Sequence, residues 1–183
     1  GVAAALLAGN TVLLKHSTRT LGIGEHFARA FDGLVQHVVM DHANTARLIE
    51  EGDINHVSFT GSVAGGQKIY ESTAKRFFDC NLELGGKDPM IVLSDADLDK
   101  PADFAVANSF RNSGQVCVST ERIYVVDDVA EKFEDKVVER VLNLKIGDGA
   151  DEGTTLGPMV NDRQKQHVLN HIESAKREGA TVR

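Results

Sequence analysis

Two side chains in this chain could together run covalent chemistry on a carbonyl compound. One is the thiol of Cys117, which follows Gly114-Gln115-Val116. The other is the carboxyl of Glu83 in Asn81-Leu82-Glu83-Leu84-Gly85-Gly86-Lys87, 34 residues earlier (117 − 83). A thiolate can attack an acyl carbon and a carboxylate can take a proton from water, and an acyl-thioester mechanism needs both. A reactive thiol requires exposure and a polar setting; Ser113, Gly114 and Gln115 supply polar, approachable neighbours. Glu83 is expected on a short buried strand, where a carboxylate is costly without a task or a partner. Whether the two meet depends on the fold.

Other groups point to an anionic ligand. Gly61-Ser62-x-x-x-Gly66 follows a strand-like run and opens a helix. Such a start presents amide groups and the positive end of the helix dipole to a phosphate. Lys15 closes an apolar run, Thr11-Val12-Leu13-Leu14, at what reads as a strand end. Gly22-x-Gly24 imitates a dinucleotide fingerprint, but Phe27 stands where its third glycine belongs and the pair falls inside a helix. Asp95-x-Asp97-x-Asp99 imitates a calcium loop, yet the sixth position is Lys100 and the twelfth Val106. His167 and His171 share a helix face, without the Glu after the first His that a zinc protease requires. No metal site is expected.

Glu83-Leu84-Gly85-Gly86-Lys87, Gly114-Gln115-Val116-Cys117 and Phe59-Thr60-Gly61-Ser62 resemble signature segments of the NAD(P)-dependent aldehyde dehydrogenase superfamily, in the family's order and near its spacing. The resemblance spans nearly all 183 residues. Family members are more than twice as long, so the chain looks like a central fragment lacking both ends of the pattern. The resemblance implies that Cys117 is the nucleophile, that its backbone N–H helps hold the oxyanion, and that Glu83 activates the water that cleaves the thioester. It implies cofactor contacts at Lys15, Thr18, Gly61, Ser62, Gly66 and Leu84. Gly85 and Gly86 would let the backbone lie close to a flat ring, while Lys87 reads as a solvated surface charge. The family's oxyanion Asn and the Glu that binds the nicotinamide ribose fall outside this chain.

The cofactor reading comes from a departure. The family's usual sequel to the strand-end Lys ends in a Glu that grips the ribose hydroxyls of NAD. Here the run is Lys15-His16-Ser17-Thr18. A neutral Thr18 removes repulsion from a 2′-phosphate and Lys15 favours one, so NADP is preferred, with NAD or dual use as the alternative. His16 in place of a family Pro leaves the shape of this turn open.

Stepping from these groups to the elements that carry them, strand-like and helical runs alternate. Helices are expected over Val2 to Ala8, from a cap at Ser17 or Thr18 to about Phe31, over Thr45 to Glu51, and from Ser62 to about Ser72. Strands are expected at Thr11–Lys15, His37–Met40, His56–Phe59 and Asn81–Leu84. Alternation of this kind implies parallel βαβ units in an open sheet covered by helices on both faces. Such sheets bind ligands at the carboxyl ends of their strands. The pattern restarts after Gly86 with a strand over Pro89 to Leu93, a helix from Pro101 to about Arg111 and a strand over Arg122 to Val126. Val129, Phe133, Val137 and Val141 mark the next helix. Residues 145–160 read as loop, and Val168, Leu169, Ile172 and Ala175 mark a last helix stopped by Gly179. The fold class is therefore α/β. With the resemblance, residues 1–86 become the later part of a Rossmann-like dinucleotide-binding domain. Residues 87–183 become the first part of a second, thiol-bearing α/β catalytic domain.

Composition narrows the partners. An apolar content of 42% suffices for a core, and a net charge of −7 argues against a nucleic-acid footprint. No run of 18 apolar residues would span a membrane. Two cysteines, Cys80 and Cys117, fit a reducing, cytoplasmic setting, with Cys80 as a small buried residue. The resemblance implies an aldehyde substrate and a homodimer or homotetramer in the full-length protein. This piece alone is expected to oxidise aldehydes very slowly or not at all. Two rivals stay open: a CoA-acylating branch, disfavoured by Glu83, and a non-catalytic nucleotide-binding or structural relative.

Overall fold

The computed structural model describes residues 1–182. The chain forms two compact units that part between Leu84 and Gly85.

The first unit runs α1 (Val2–Leu7), β1 (Val12–Lys15), α2 (Leu21–Ala30), β2 (Val35–Val38), α3 (His42–Glu51), β3 (Val57–Thr60), α4 (Val63–Ala74) and β4 (Cys80–Glu83). β1 pairs with β2 and β3 with β4, both parallel, with Val12 opposite Val35 and Thr60 opposite Glu83. The expected parallel α/β pattern is present as separate two-stranded ladders, not one continuous sheet. α2 packs against β2, and α4 against β3 and β4. Gly24 belongs to the first of these packings: a Cβ there would collide with the His37 ring on β2. The glycine in the false fingerprint thus serves helix–strand approach.

Among the boundaries that differ from those expected, three in the first unit have a readable local cause. Neither Ser17 nor Thr18 caps α2. Ser17 Oγ instead accepts from Arg19 N–H at 3.3 Å, the Thr20 hydroxyl lies 3.0 Å from His16 Nδ1, and the helix begins only at Leu21. Short polar side chains favour such local turns over helix. β2 starts two residues early, at Val35, because buried Val35 rather than Met40 belongs to the core. α3 starts three residues early, at His42, because Asp41 caps it: its carboxylate accepts from Asn44 N–H at 2.7 Å.

The second unit runs β5 (Asp88–Val92), α5 (Asp99–Phe110), a short turn of helix at Arg111–Gly114, β6 (Thr120–Val125), α6 (Asp127–Leu142) and α7 (Asp162–Arg177). β5 and β6 are parallel, with a register shift between Asp88 and Pro89. Proline has no N–H for the ladder and strands accommodate it at such irregularities. Val92, Ala102, Ala105 and Phe133 form the core, with Met90, Ile123, Val125 and Val137 packed around them. Ala102 and Ala105, three apart on α5, are small enough to bring that helix close. Phe133 delivers the stripe expected on α6. Across α5 and α6, Asp99 pairs with Lys136 at 2.6 Å and Arg140 at 2.8 Å, and Arg140 also pairs with Asp103. Of the false calcium loop, Asp99 is thus occupied in packing, and Asp97 lies 3.5 Å from the Lys100 ammonium. Among the described residues, no helix is long and apolar enough to cross a membrane.

Candidate functional site

In the first unit the carboxyl ends of β3 and β4 collect most of the expected residues. Gly61 N–H donates to the Glu83 carbonyl at 3.0 Å, extending the ladder by one rung. Ser62 caps α4: its Oγ accepts from Gly65 N–H at 3.1 Å. The amides of Val63 and Ala64 then have no protein acceptor among the described residues. Gly66 is buried against Leu84, whose Cδ2 would lie 2.6 Å from a Cβ at that position. Gly61, Ser62, Gly66, Glu83 and Leu84 therefore share one strand-end surface. Gly66, Tyr70, Leu82 and Leu84 also line a shallow cavity of about 360 Å³ beside it.

Glu83 is not buried as expected. β4 alternates, with Cys80 and Leu82 turned inward and Asn81 and Glu83 exposed. The Glu83 carboxylate makes no hydrogen bond or ion pair among the described residues. It is therefore a solvated acceptor with no structural partner, open to water as a base must be. Cys80, on the inward side, is half-buried with its sulfur 3.6 Å from the Thr73 hydroxyl.

Lys15 closes β1 opposite Val38 and is half-buried. Thr18 is exposed in the polar turn that follows. These two sit at the end of the other ladder, β1–β2.

In the second unit Cys117 is exposed. The route to it is unusual. Asn112 (φ 50°, ψ 38°), Ser113 (φ 58°, ψ 36°) and Gly114 (φ 73°) are consecutive left-handed residues. Glycine takes this conformation freely; Asn and Ser each pay about 1–2 kcal/mol. Besides reciprocal bonds between Asn112 and the Gln115 backbone, three side-chain bonds hold the turn. Ser113 Oγ donates to the Gly157 carbonyl at 2.7 Å, Val160 N–H donates to Gln115 Oε1 at 3.1 Å, and Gln115 Nε2 donates to the Asn112 carbonyl at 3.0 Å. The sequence carried one signal for this turn, the Asn-x-Gly pattern at 112–114. Nothing in it pointed to residues 157–160 as the other half.

Gly86 also touches the thiol-bearing residue. A Cβ there would collide with the Cys117 carbonyl oxygen, whereas one at Gly85 would meet open space. Among protein atoms, the close approach that requires a bare α-carbon at Gly86 is thus to the Cys117 main chain. Lys87, expected as a solvated surface charge, is exposed and pairs with Glu121, and the Arg122 guanidinium donates to the Lys87 carbonyl at 2.8 Å. These bonds anchor the segment that bears Gly86. Among the described residues, no group of three or more His, Cys, Asp or Glu converges as a metal site.

Comparison with known proteins covers the whole chain. The profile of the aldehyde dehydrogenase family matches residues 1–183. The peroxisomal aminoaldehyde dehydrogenase 1 of Pisum sativum is 40% identical over 190 residues, covering 99% of this chain and 37% of that protein. The NADP(+) succinate-semialdehyde dehydrogenase GabD of Escherichia coli strain K12 is 40% identical over 185 residues, covering 97% and 38%. An NADP-dependent enzyme of E. coli with a solved structure superposes with a TM-score of 0.90 at 38% identity, covering 97% of this chain and 38% of that one. The chain thus spans under two-fifths of the length of these relatives.

Proposed function

The chain belongs to the aldehyde dehydrogenase family, and from that premise we propose that it carries the nucleophile, the base and part of the cofactor groove of an enzyme that oxidises an aldehyde to a carboxylic acid. The observation that carries this reading is the Cys117 thiol, exposed at the end of a braced left-handed turn, with Gly86 seated on its carbonyl.

The Cys117 thiolate attacks the aldehyde carbon, forming a C–S bond, and the carbonyl electrons move to oxygen. The backbone N–H of Cys117 donates to that oxyanion. The nicotinamide cofactor, when bound, supplies the acceptor for the hydride that leaves this adduct. Glu83 then takes a proton from water, the resulting hydroxide adds to the thioester, and the C–S bond breaks to release the acid and restore the thiolate. The exposed, unpaired state of Glu83 suits this step better than transfer to a second thiol.

The residues present suit a dinucleotide. The free amides of Val63 and Ala64 at the start of α4, beside Gly61 and Ser62, suit its diphosphate, and Gly66 and Leu84 border the same surface. Lys15 and exposed Thr18 suit a ribose that carries a 2′-phosphate, so NADP is the preferred cofactor and NAD the alternative. Two of the relatives are named for NADP. The semialdehyde and aminoaldehyde named for the curated relatives make a polar-ended aldehyde the first substrate class to try. The full-length protein is read as a homo-oligomer in a reducing compartment.

Intact mass spectrometry of the full-length protein tests the mechanism. Aldehyde plus NAD(P) should leave an acyl adduct on Cys117, which Glu83→Gln makes persist and Cys117→Ser abolishes. A Glu83→Gln protein that turns over at the wild-type rate with no adduct sinks the assignment.

A further inference from the structure

Ser113 touches no reacting atom in the chemistry above, yet it sits in a conformation that costs it free energy. It is the second of two adjacent non-glycine left-handed residues in this turn, and its hydroxyl reaches 44 residues along the chain to the Gly157 carbonyl at 2.7 Å, with the Pro158 carbonyl at 3.5 Å. Two residues on, Gln115 accepts from Val160 N–H. The turn is therefore clasped from outside, by the segment that leads into α7.

The alternative to the clasped turn is simple. α5 ends at Phe110, and residues 111–116 contain no proline. Released from Gly157, Asn112 and Ser113 can relax to right-handed backbone and lengthen α5 by about a turn. That change would re-aim Val116 and Cys117, because Ser119 and Thr120 just beyond are buried and fixed, with Ser109 Oγ donating to the Thr120 carbonyl at 2.7 Å. The clasp opposes that relaxation, and the position of the thiol is what the relaxation would change.

We propose that Ser113 is a positioning residue for Cys117, and that its hydrogen bond to the Gly157 carbonyl holds the left-handed turn in the form that presents the thiol outward. This rests on Cys117 being the nucleophile only for its relevance to catalysis. The clasp itself is independent of that reading.

The two cysteines allow an internal comparison. Iodoacetamide is applied to the 183-residue protein, and the rates at Cys117 and half-buried Cys80 are read separately by peptide mass. Ser113→Ala removes the hydroxyl and leaves the left-handed backbone as costly as it is for Ser, so the lost hydrogen bond is read with no compensating relief of strain. It should slow Cys117 alkylation on the order of fivefold, the population shift one ordinary hydrogen bond commands, and leave Cys80 unchanged. Ser113→Asn keeps a donor and tolerates the same backbone, and should restore the wild-type rate. Hydrogen exchange over residues 112–118 should rise in Ser113→Ala and not in Ser113→Asn. Ser113→Ala alkylated at the wild-type rate at Cys117, or a change shared equally by Cys80, overturns the proposal. A normal clasp result alongside no acyl adduct in the full-length protein would instead overturn the dehydrogenase reading alone.

Discussion

At the residue scale, main-chain contact governs the thiol as much as any side chain does. Gly86 lies against the Cys117 carbonyl, and both partners in this contact are backbone, so neither can swing away as a flexible side chain would. Gly86→Ala should destabilise by about 1–3 kcal/mol through overpacking and displace Cys117. In the full-length enzyme, a shift near 1 Å in a reacting group costs on the order of a hundredfold in rate. Thermal denaturation and steady-state kinetics check the two effects, and full activity in a folded Gly86→Ala protein contradicts the account. Thr18 sets a second prediction. Thr18→Glu places a carboxylate beside the proposed ribose site and should weaken NADP relative to NAD by about tenfold or more, read by titration of both cofactors. A wild type that binds NAD outright in preference refutes the NADP assignment.

At the element scale, the pairing of α5 with α6 carries a pH signature. Lys136 first, then Arg140, hold the Asp99 carboxyl below its ordinary value through hydrogen bonds. A depressed carboxyl pKa stabilises the fold above the unfolded value, near pH 4, and that contribution is lost as pH falls through the folded value. Asp99→Asn should therefore lower Tm at neutral pH by only a degree or two, since the cluster is solvent-exposed and screened. The gap from wild type should close as pH falls below about 4; equal Tm values at pH 7 would count against it. The elements themselves were largely legible. Short apolar runs marked six strands, and the four-residue repeat of Val129, Phe133, Val137 and Val141 marked α6. What escaped was decided by contacts that periodicity does not encode. Asp41 capped α3 earlier than its apolar residues suggested, and His16 and Ser17 held a turn where a helix start was expected. The clasp from Ser113 to Gly157 joins residues 44 apart, which no local pattern announces. Glu83 was found by motif, but its exposure was misjudged because its neighbours Leu82 and Leu84 suggested a fully buried run.

At the scale of the whole molecule, much apolar surface is uncovered. Ile91 and Tyr124, register partners on β5 and β6, are 70% and 54% exposed. Val168, Leu169 and Ile172 on α7, a helix with no buried residue, are also open. Contiguous apolar surface in water favours association. The 183-residue protein should accordingly self-associate as its concentration rises, read by light scattering, and should not approach the turnover of a full-length enzyme. A strictly monodisperse monomer at high concentration would count against the first expectation. Of the two free sulfurs, Cys80 is half-buried and Cys117 lies in the open. Stored in air, two copies can lose one hydrogen each to dioxygen and become joined through Cys117. That covalent pair would run on a gel like a native dimer while concealing the group whose reactivity is in question. Reductant in every buffer is what separates an assembly from an artefact of oxidation.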